Sequence, residues 1–117
     1  MLFRSPKGVK SLDGAFSNCE DLRSVTIPES VASIGNRAFM WCGFSSITIP
    51  NGVTSIGEMA FAHCVNLTSI TIPDSVTSIG EEAFADCGSL ETVSLPRGVK
   101  LGKDVFEDCP KVKITYR

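Results

Sequence analysis

A four-residue pattern, Phe-x-x-Cys, recurs five times along this chain of 117 residues and constrains its fold more than any other feature. The five pairs are Phe16/Cys19, Phe39/Cys42, Phe61/Cys64, Phe84/Cys87 and Phe106/Cys109. Successive phenylalanines are separated by 23, 22, 23 and 22 residues. A period of this length is typical of solenoids, in which each unit buries its apolar face only by stacking on the next unit. The sequence therefore predicts a repeat protein of about five units.

Short β-strands are predicted by a second column, in which proline closes a run of alternating hydroxyl and apolar residues. The four runs cover residues 24–27, 46–49, 69–72 and 92–95 and end at Pro28, Pro50, Pro73 and Pro96. Alternation with a period of two is typical of a strand with one buried and one solvent-facing side. Proline then ends the strand, because it has no N–H to donate. Each unit is therefore expected to contribute one short strand.

The segment after each strand is predicted to turn at a glycine and then to form a short helix. The glycine column consists of Gly35, Gly57, Gly80 and Gly102. Such a column suggests a tight turn with backbone angles that only glycine adopts cheaply. Residues 81–87 contain good helix formers and begin with two acids, which the helix dipole favours at that end. A helix of two turns is marginal alone, so packing must stabilise it.

The five cysteines share one column and are expected to be packing residues. The chain has no Cys-x-x-Cys pair and a single histidine, so the ligand spacing of a zinc site is missing. An odd number of cysteines also leaves at least one thiol without an intramolecular partner. A buried free cysteine behaves as a small hydrophobic residue. We therefore expect neither a metal site nor a cofactor.

Composition excludes several classes of function. The apolar content of 43% with 21% charged residues is typical of a folded chain. The net charge of −2, without a basic run, argues against a nucleic-acid partner. No apolar stretch approaches the ~20 residues of a membrane span, so no membrane insertion is expected. The first six residues lack the apolar core of a secretory signal, as expected of a cut inside a longer array or of an intracellular protein.

Units such as residues 67–87, Leu-Thr-Ser-Ile-Thr-Ile-Pro-Asp-Ser-Val-Thr-Ser-Ile-Gly-Glu-Glu-Ala-Phe-Ala-Asp-Cys, resemble the BspA-like leucine-rich repeat, also called the Treponema-type class. The resemblance implies an α/β fold: a right-handed solenoid with a parallel β-sheet on its concave face and short helices or turns on its convex face. It covers nearly the whole chain, so residues 1–117 are expected to form a single domain taken from a longer array. Members of the family are mostly bacterial and protist surface or secreted proteins that bind host proteins and other cells. The family brings no catalytic residues.

The concave sheet that this resemblance implies would display the hydroxyl residues, beside a column that varies in charge. The candidate binding residues are Arg23, Ser24, Thr26, Ser46, Thr48, Thr68, Ser69, Thr71, Glu91, Thr92 and Ser94. Three interpretations stay open. The hydroxyls reflect only the preference of threonine for strands, they form the recognition face of a binding module, or they form a flat array like that of ice-binding solenoids.

A second candidate patch lies in the unit that departs most from the pattern. Before Phe44 this unit has lost one residue, and Met40 and Trp41 stand where other units have small or polar residues. The bulky pair is either repacked around the deletion or an exposed aromatic anchor for a partner. His63 shares a column with Trp41 and Asp86. We interpret it as a surface neighbour and not as half of a catalytic pair, because no nucleophile accompanies it.

The sequence is thus interpreted as a non-enzymatic protein-binding module of a surface or secreted, adhesin-like protein. The expected partner is a host or cell-surface protein, or a neighbouring subunit. The open ends of a solenoid make end-to-end self-association a further expectation. The alternative is a structural subunit of a larger assembly that has no separate ligand. The surface or secreted location rests on the family resemblance, and an intracellular location stays open.

Overall fold

The computed structural model describes residues 2–4, 11–12, 20–21 and 23–117, which contain ten short β-strands. They are β1 (Leu2–Arg4), β2 (Ser11–Leu12), β3 (Ser24–Thr26), β4 (Ser33–Ile34), β5 (Ser55–Ile56), β6 (Ser69–Thr71), β7 (Ser78–Ile79), β8 (Thr92–Leu95), β9 (Lys100–Leu101) and β10 (Lys113–Tyr116). Two residues of the Phe-x-x-Cys pattern, Phe16 and Cys19, lie outside the described residues, as does the side chain of Ser24.

Every strand pairing in these ranges is parallel, and partners belong to neighbouring units. In the sheet of β6, β8 and β10, Ser69 pairs with Thr92, which in turn pairs with Lys113. The strand β1 pairs with β3 in a separate two-stranded sheet. The predicted solenoid with a parallel sheet is therefore confirmed, and so is the outward position of the hydroxyls on β6, where Ser69 and Thr71 are exposed and Ile70 is buried.

A second sheet runs along the stack and was not predicted from the sequence. It consists of five two-residue strands in the order β2, β4, β5, β7 and β9. Ser33 pairs with Ser55, and Ser55 with Ser78, at spacings of one unit. The signal was present as a Ser-Ile pair in three of the five strands, with Ser-Leu in β2 and Lys-Leu in β9, but two residues are too few to display an alternating pattern.

The phenylalanines of the Phe-x-x-Cys pattern stack on one another through the centre of the core. Ring centroids are 5.5 Å apart between Phe39 and Phe61, 5.2 Å between Phe61 and Phe84, and 5.6 Å between Phe84 and Phe106. The rings are nearly parallel, with interplanar angles of 14°, 2° and 12°. One ring per unit therefore forms a continuous column that couples each unit to the next.

The cysteines form a second buried column, as predicted. Cys42, Cys64, Cys87 and Cys109 are buried and free of disulfides. The thiol of Cys64 donates a hydrogen bond to the carbonyl of Phe39 in the preceding unit at 3.1 Å, and the next two thiols repeat this contact. These three thiols thus both fill space and satisfy a carbonyl group of the neighbouring unit.

The helix predicted over residues 81–87 does not form, and turns take its place. Glu82 and Asp86 have positive φ angles of 55° and 58°, which break a right-handed helix. Alternate N–H groups point along the stack and bond to the next unit: those of Glu82, Phe84 and Asp86 donate to the carbonyls of Lys103, Val105 and Glu107 at 3.0, 2.9 and 2.8 Å. Backbone hydrogen bonds to the next unit therefore take the place of the hydrogen bonds that a helix would form within residues 81–87. Among the described residues, no helix is long and apolar enough to cross a membrane.

The glycine column has a different cause from the one predicted. Gly98 is the one glycine among the described residues with a positive φ, so the column glycines do not adopt the angles that were expected of them. They allow close approach instead. A Cβ added to Gly80 would lie 2.6 Å from the backbone nitrogen of Glu58, and one added to Gly102 would lie 2.7 Å from that of Glu81. Neighbouring units therefore touch backbone to backbone at this column.

The strand predicted over residues 46–49 does not form either, although Ile47 and Ile49 are buried. The N–H of Thr68 still bonds to the carbonyl of Ser45 at 3.0 Å, so the second and third units separate only beyond this point. The reason lies in the deletion. Gly43 is the sole residue between Cys42 and Phe44, whereas two residues separate Cys64 from Leu67 in the next unit, so the chain enters this segment one residue early.

Candidate functional site

The exposed residues of the predicted hydroxyl array lie on one side of the solenoid. We call this surface the hydroxyl face, and its described members are Thr26, Ser46, Thr48, Ser69, Thr71, Thr92, Ser94 and Thr115. All are exposed except Ser94, which is half-buried. The structure thus brings the predicted hydroxyl residues together, on both sides of the unpaired segment 46–49.

Most of these hydroxyls are available to a ligand. Within the described part of the chain, the side chains of Ser46, Thr48, Ser69, Thr71 and Thr92 make no hydrogen bond. The hydroxyl of Ser94, by contrast, lies 2.6 Å from Nη1 of Arg117, which donates to it. A hydroxyl both donates and accepts hydrogen bonds, so the available hydroxyls can serve a partner of either polarity.

The side chain of Arg117 crosses one end of the hydroxyl face and is bonded to residues of the two preceding units. Its guanidinium forms an ion pair with Asp74 at 2.7 Å and also donates to the carbonyl of Ile72. In turn its own carbonyl accepts a hydrogen bond from Nε of Arg97 at 2.8 Å. The sequence did not predict these bonds, which connect Arg117 to residues two units away.

The flanking column of variable charge is aligned beside the hydroxyl face. The N–H of Glu91 bonds to the carbonyl of Thr68 at 2.8 Å, continuing the line from Ser45. The guanidinium of Arg23 is turned towards the backbone and donates to the carbonyl of Glu20 at 2.6 Å. Glu91 therefore presents its charge to solvent, whereas Arg23 spends part of its bonding capacity on the chain itself.

The unpaired segment 46–49 is bordered by two cavities that the sequence did not predict. We call the larger one, of about 340 Å³, the notch; it is lined by Ser46, Ile47, Thr48, Ile49, Asn51, Ser69, Ile70, Thr71 and Pro73. Hydrogen bonds flank it at both ends, from Thr68 N to Ser45 O at 3.0 Å and from Ser75 Oγ to Val53 O at 2.6 Å. A cavity of about 280 Å³ lies on the other side of the segment. The deletion before Phe44 was the one signal in the sequence.

The second candidate patch forms around Trp41, which is 39% exposed. Its ring stacks on His63 with centroids 4.2 Å apart and an interplanar angle of 8°. Nδ1 of His63 lies 3.3 Å from a carboxylate oxygen of Asp86. Met40 is half-buried, and Val65, which the sequence did not single out, is 50% exposed beside them. We call Met40, Trp41, His63 and Val65 the Trp41 patch.

Trp41 also has an unusual backbone conformation, with a φ of 65°. The equivalent residues of the next two units, His63 and Asp86, have φ values of 60° and 58°. Histidine and aspartate are enriched in this left-handed region, but a bulky residue such as tryptophan is rare there. The left-handed conformation of Trp41 therefore lowers the stability of the fold by ~1–2 kcal/mol. Eight non-glycine residues of the described chain adopt a positive φ at two recurring positions of the unit, so this conformation belongs to the turns of the repeat.

The thiols of Cys64 and Cys87 are unsuited to nucleophilic or metal chemistry at neutral pH. Burial raises the pKa of Cys64 to about 12. A hydrogen bond with the thiol of Cys109, and then burial, raise the pKa of Cys87, while the same bond lowers that of Cys109. The thiolate is the form that attacks electrophiles and binds metals. Cys64 and Cys87 are therefore protonated packing residues.

Comparison with known proteins agrees with the solenoid fold described above. A family model described as BspA type leucine rich repeat region matches residues 5–116 in six copies. A solved leucine-rich repeat protein from Bacteroides ovatus is 37% identical with a TM-score of 0.89, and a leucine rich cell surface protein from Faecalibacterium prausnitzii gives the same two values. The leucine-rich repeat protein of T. pallidum is 35% identical with a TM-score of 0.85.

These relatives are longer than the chain. The alignments cover 97%, 98% and 97% of this chain but only 30%, 31% and 56% of the three solved chains, in the same order. The chain therefore spans about a third of the length of the first two. Among curated proteins, no match to the chain is found.

Proposed function

Because the chain belongs to the BspA-type leucine-rich repeat family, we propose that it is a non-enzymatic protein-binding module of a surface or secreted, adhesin-like protein. The hydroxyl face is its main contact surface. The observation that carries this proposal is the set of five exposed side chains, Ser46, Thr48, Ser69, Thr71 and Thr92, that make no hydrogen bond within the described part of the chain. The description of one relative as a cell surface protein supports the location.

The mechanism of binding is display on a rigid support. Side chains of serine and threonine are short, so they lose little rotational freedom when a partner immobilises them. The parallel ladders and the ring stack fix the backbone beneath them before binding. Pre-ordering reduces the free energy that association must otherwise spend on ordering the surface.

The size of the hydroxyl face indicates that a partner must cover more than the hydroxyls. Five rows at a strand spacing of ~4.8 Å span about 19 Å, and four residues of strand span about 13 Å, which gives about 250 Å². A stable protein interface covers about 800 Å² on each partner. We therefore include the flank of Arg23, Thr68 and Glu91 in the contact surface. We also propose that residues 1–117 are a single domain of a longer array, whose further units would extend the face.

The test is adhesion of beads that carry the purified protein to host epithelial cells. Thr48→Arg with Thr71→Arg places two large cations on the hydroxyl face, and we expect adhesion to fall at least tenfold. The matched control is Thr54→Arg with Thr77→Arg, because these exposed threonines lie one unit apart in the same way but beside the second sheet. Equal adhesion of the two double variants would refute the assignment of the face. Absence of adhesion by the unaltered protein would refute the adhesin-like function.

A second contact surface is supported by the Trp41 patch. An aromatic ring with 39% exposure, stacked on His63 with centroids 4.2 Å apart, has the properties of an interface anchor. Trp41→Asn keeps a residue type that tolerates this backbone conformation and removes the ring. Loss of adhesion in Trp41→Asn, with retention in the Thr48/Thr71 variant, would assign binding to this patch.

The alternative function is that of a structural subunit without a separate ligand. Its contact surface would include the exposed apolar side chains of Leu101, Ile114 and Tyr116. Sedimentation at increasing protein concentration distinguishes the two. A dimer that Ile114→Lys dissociates, in a protein that binds no cells, would favour the structural function.

A further inference from the structure

We propose that the notch between residues 46–51 and 69–73 is a binding site for a single neutral sugar ring. The inference concerns a small molecule and does not rest on the protein-binding function proposed above. It starts from the segment 46–49, which stands outside all three sheets although its two isoleucines are buried.

Unpaired peptide groups border the notch on two sides. Within the described part of the chain, the backbone of residues 47–49 makes no hydrogen bond to either neighbouring unit. On the opposite side, β6 pairs with β8 alone, so its other edge is open towards the notch. Peptide groups in partly buried positions are nearly always paired with protein, water or a ligand. The notch therefore offers both donors and acceptors from the main chain.

The side chains around the notch match the chemistry of a sugar. Five of them carry a hydroxyl or an amide: Ser46, Thr48, Asn51, Ser69 and Thr71. The remaining lining residues are apolar, and Ile70 and Pro73 are buried. A sugar ring presents hydroxyl groups around its edge and C–H groups on its faces. Polar side chains above an apolar floor can therefore contact both parts of the ring.

The absence of charge in the lining selects for a neutral ligand. None of the nine lining residues is ionisable, so a phosphate, a carboxylate or an ammonium group would lose water there without gaining a partner of opposite charge. The cavity on the other side of the segment includes Glu29, so we confine the proposal to the notch.

The closed ends favour a compact ligand over a peptide. An extended peptide would have to enter and leave the groove along the strand direction. The bonds from Thr68 to Ser45 and from Ser75 to Val53 join the two units at both ends. The volume of about 340 Å³ is near the lower limit of small-molecule sites, which are ~300–1,000 Å³. One ring fits this space better than a chain of rings.

The experiment is a titration of the isotopically labelled protein, followed by amide chemical shifts. The probes are D-glucose, D-galactose and N-acetylglucosamine, each up to 100 mM. We expect at least one of them to saturate with a millimolar Kd and to shift the amides of residues 46–51 and 69–73 most. Failure of all three to saturate, or shifts spread evenly over the hydroxyl face, would overturn the proposal.

Matched variants separate the notch from the rest of the face. Ser46→Ala with Thr71→Val removes two hydroxyls from the notch and is expected to weaken binding at least tenfold. Thr92→Val with Thr115→Val removes two hydroxyls where β8 and β10 are paired, and it should leave the Kd unchanged. Equal effects of the two double variants would overturn the assignment to the notch.

Two further probes test the class of ligand. Sorbitol carries hydroxyls without a ring and is expected to bind at least tenfold more weakly than the best sugar. A blocked tetrapeptide, acetyl-Ser-Ile-Thr-Ile-amide, tests for the pairing of a strand with the open edges. Binding of sorbitol or of this peptide as tight as that of the sugar would refute the sugar-ring proposal. Neither result depends on whether the protein adheres to cells.

Discussion

Three glycines occupy three different environments, and their substitution by alanine tests the explanation of the glycine column. Gly80 has no positive φ but lies against the backbone of the preceding unit. Gly98 has a φ of 83° and open space around its Cα. Gly88 has neither a positive φ nor a neighbour within 4 Å of an added Cβ. Crowding, backbone strain and the absence of both can therefore be compared within one chain.

The expected changes in the free energy of unfolding differ in size and sign. Gly80→Ala places Cβ 2.6 Å from the Glu58 nitrogen and 2.8 Å from the Gly57 carbonyl carbon, which are backbone atoms that cannot rotate away. Overpacking of this kind costs ~1–3 kcal/mol. Gly98→Ala forces an L-residue into the left-handed region, at ~1–2 kcal/mol. Gly88→Ala restricts only the unfolded chain and should stabilise by ~0.4–1 kcal/mol.

Urea denaturation of the three variants measures these differences, and asparagine at the same positions separates the two mechanisms. Asparagine tolerates positive φ, so Gly98→Asn should cost less than Gly98→Ala. At Gly80 the larger side chain meets the same backbone, so Gly80→Asn should cost more than Gly80→Ala. The reverse order at Gly80 would refute close approach as the cause of the glycine column.

Three further predictions follow from the core and from the Trp41 patch. The pKa of Cys64 is raised from 9.0 to about 12, so its contribution to the free energy of unfolding is complete below pH 9 and is lost as pH rises towards 12, at about 1.4 kcal/mol per pH unit. In Cys64→Ala the free energy of unfolding, measured by urea denaturation at several pH values, should therefore fall less steeply with pH over this range. An equal fall in the variant and in the unaltered protein would contradict the raised pKa. Phe61→Ala should destabilise by ~3–5 kcal/mol, and Phe106→Ala by less, because Phe106 is half-buried and Phe61 stacks between two rings; equal losses would refute coupling through the stack. Trp41→Ala should destabilise the fold less than Trp41→Val, since β-branched residues are the least tolerant of positive φ; the opposite order, measured by thermal unfolding, would show that the backbone relaxes.

The repeat period predicts the solenoid because every unit must bury side chains at the same positions, and these positions therefore carry the same residue types in each unit. The phenylalanine and cysteine columns were recognised from their recurrence, and apart from the half-buried Phe106 both are buried in the described units. Alternation in residues 69–72 and 92–95 likewise predicted strands, and β6 and β8 form there. These predictions succeed because the same interaction repeats in each unit, so one pattern is observed several times.

The turns could not be predicted, because their hydrogen bonds connect one unit to the next. Residues 81–87 have helical propensity, yet alternate N–H groups bond to residues 103, 105 and 107. Propensity describes a segment in isolation, and contacts between units override it. Similarly, the glycine column was read as a local backbone requirement, whereas Gly80 is required by the unit that packs against it.

The deletion in the second unit lies between the Trp41 patch and the notch. The carbonyl of Gly43 accepts hydrogen bonds from Nδ2 of Asn66 at 3.2 Å and from Nη1 of Arg23 at 3.4 Å, so the shortened loop is tied to the units on either side. A Cβ at this position would overlap the carbonyl oxygen of Glu20, so glycine is required there. Trp41 lies two residues before Gly43, and the unpaired segment of the notch begins three residues after it. The shortened loop therefore lies between an exposed aromatic ring on one side and a polar cavity on the other. In a ladder whose other units are nearly interchangeable, these are the features that a ligand can distinguish.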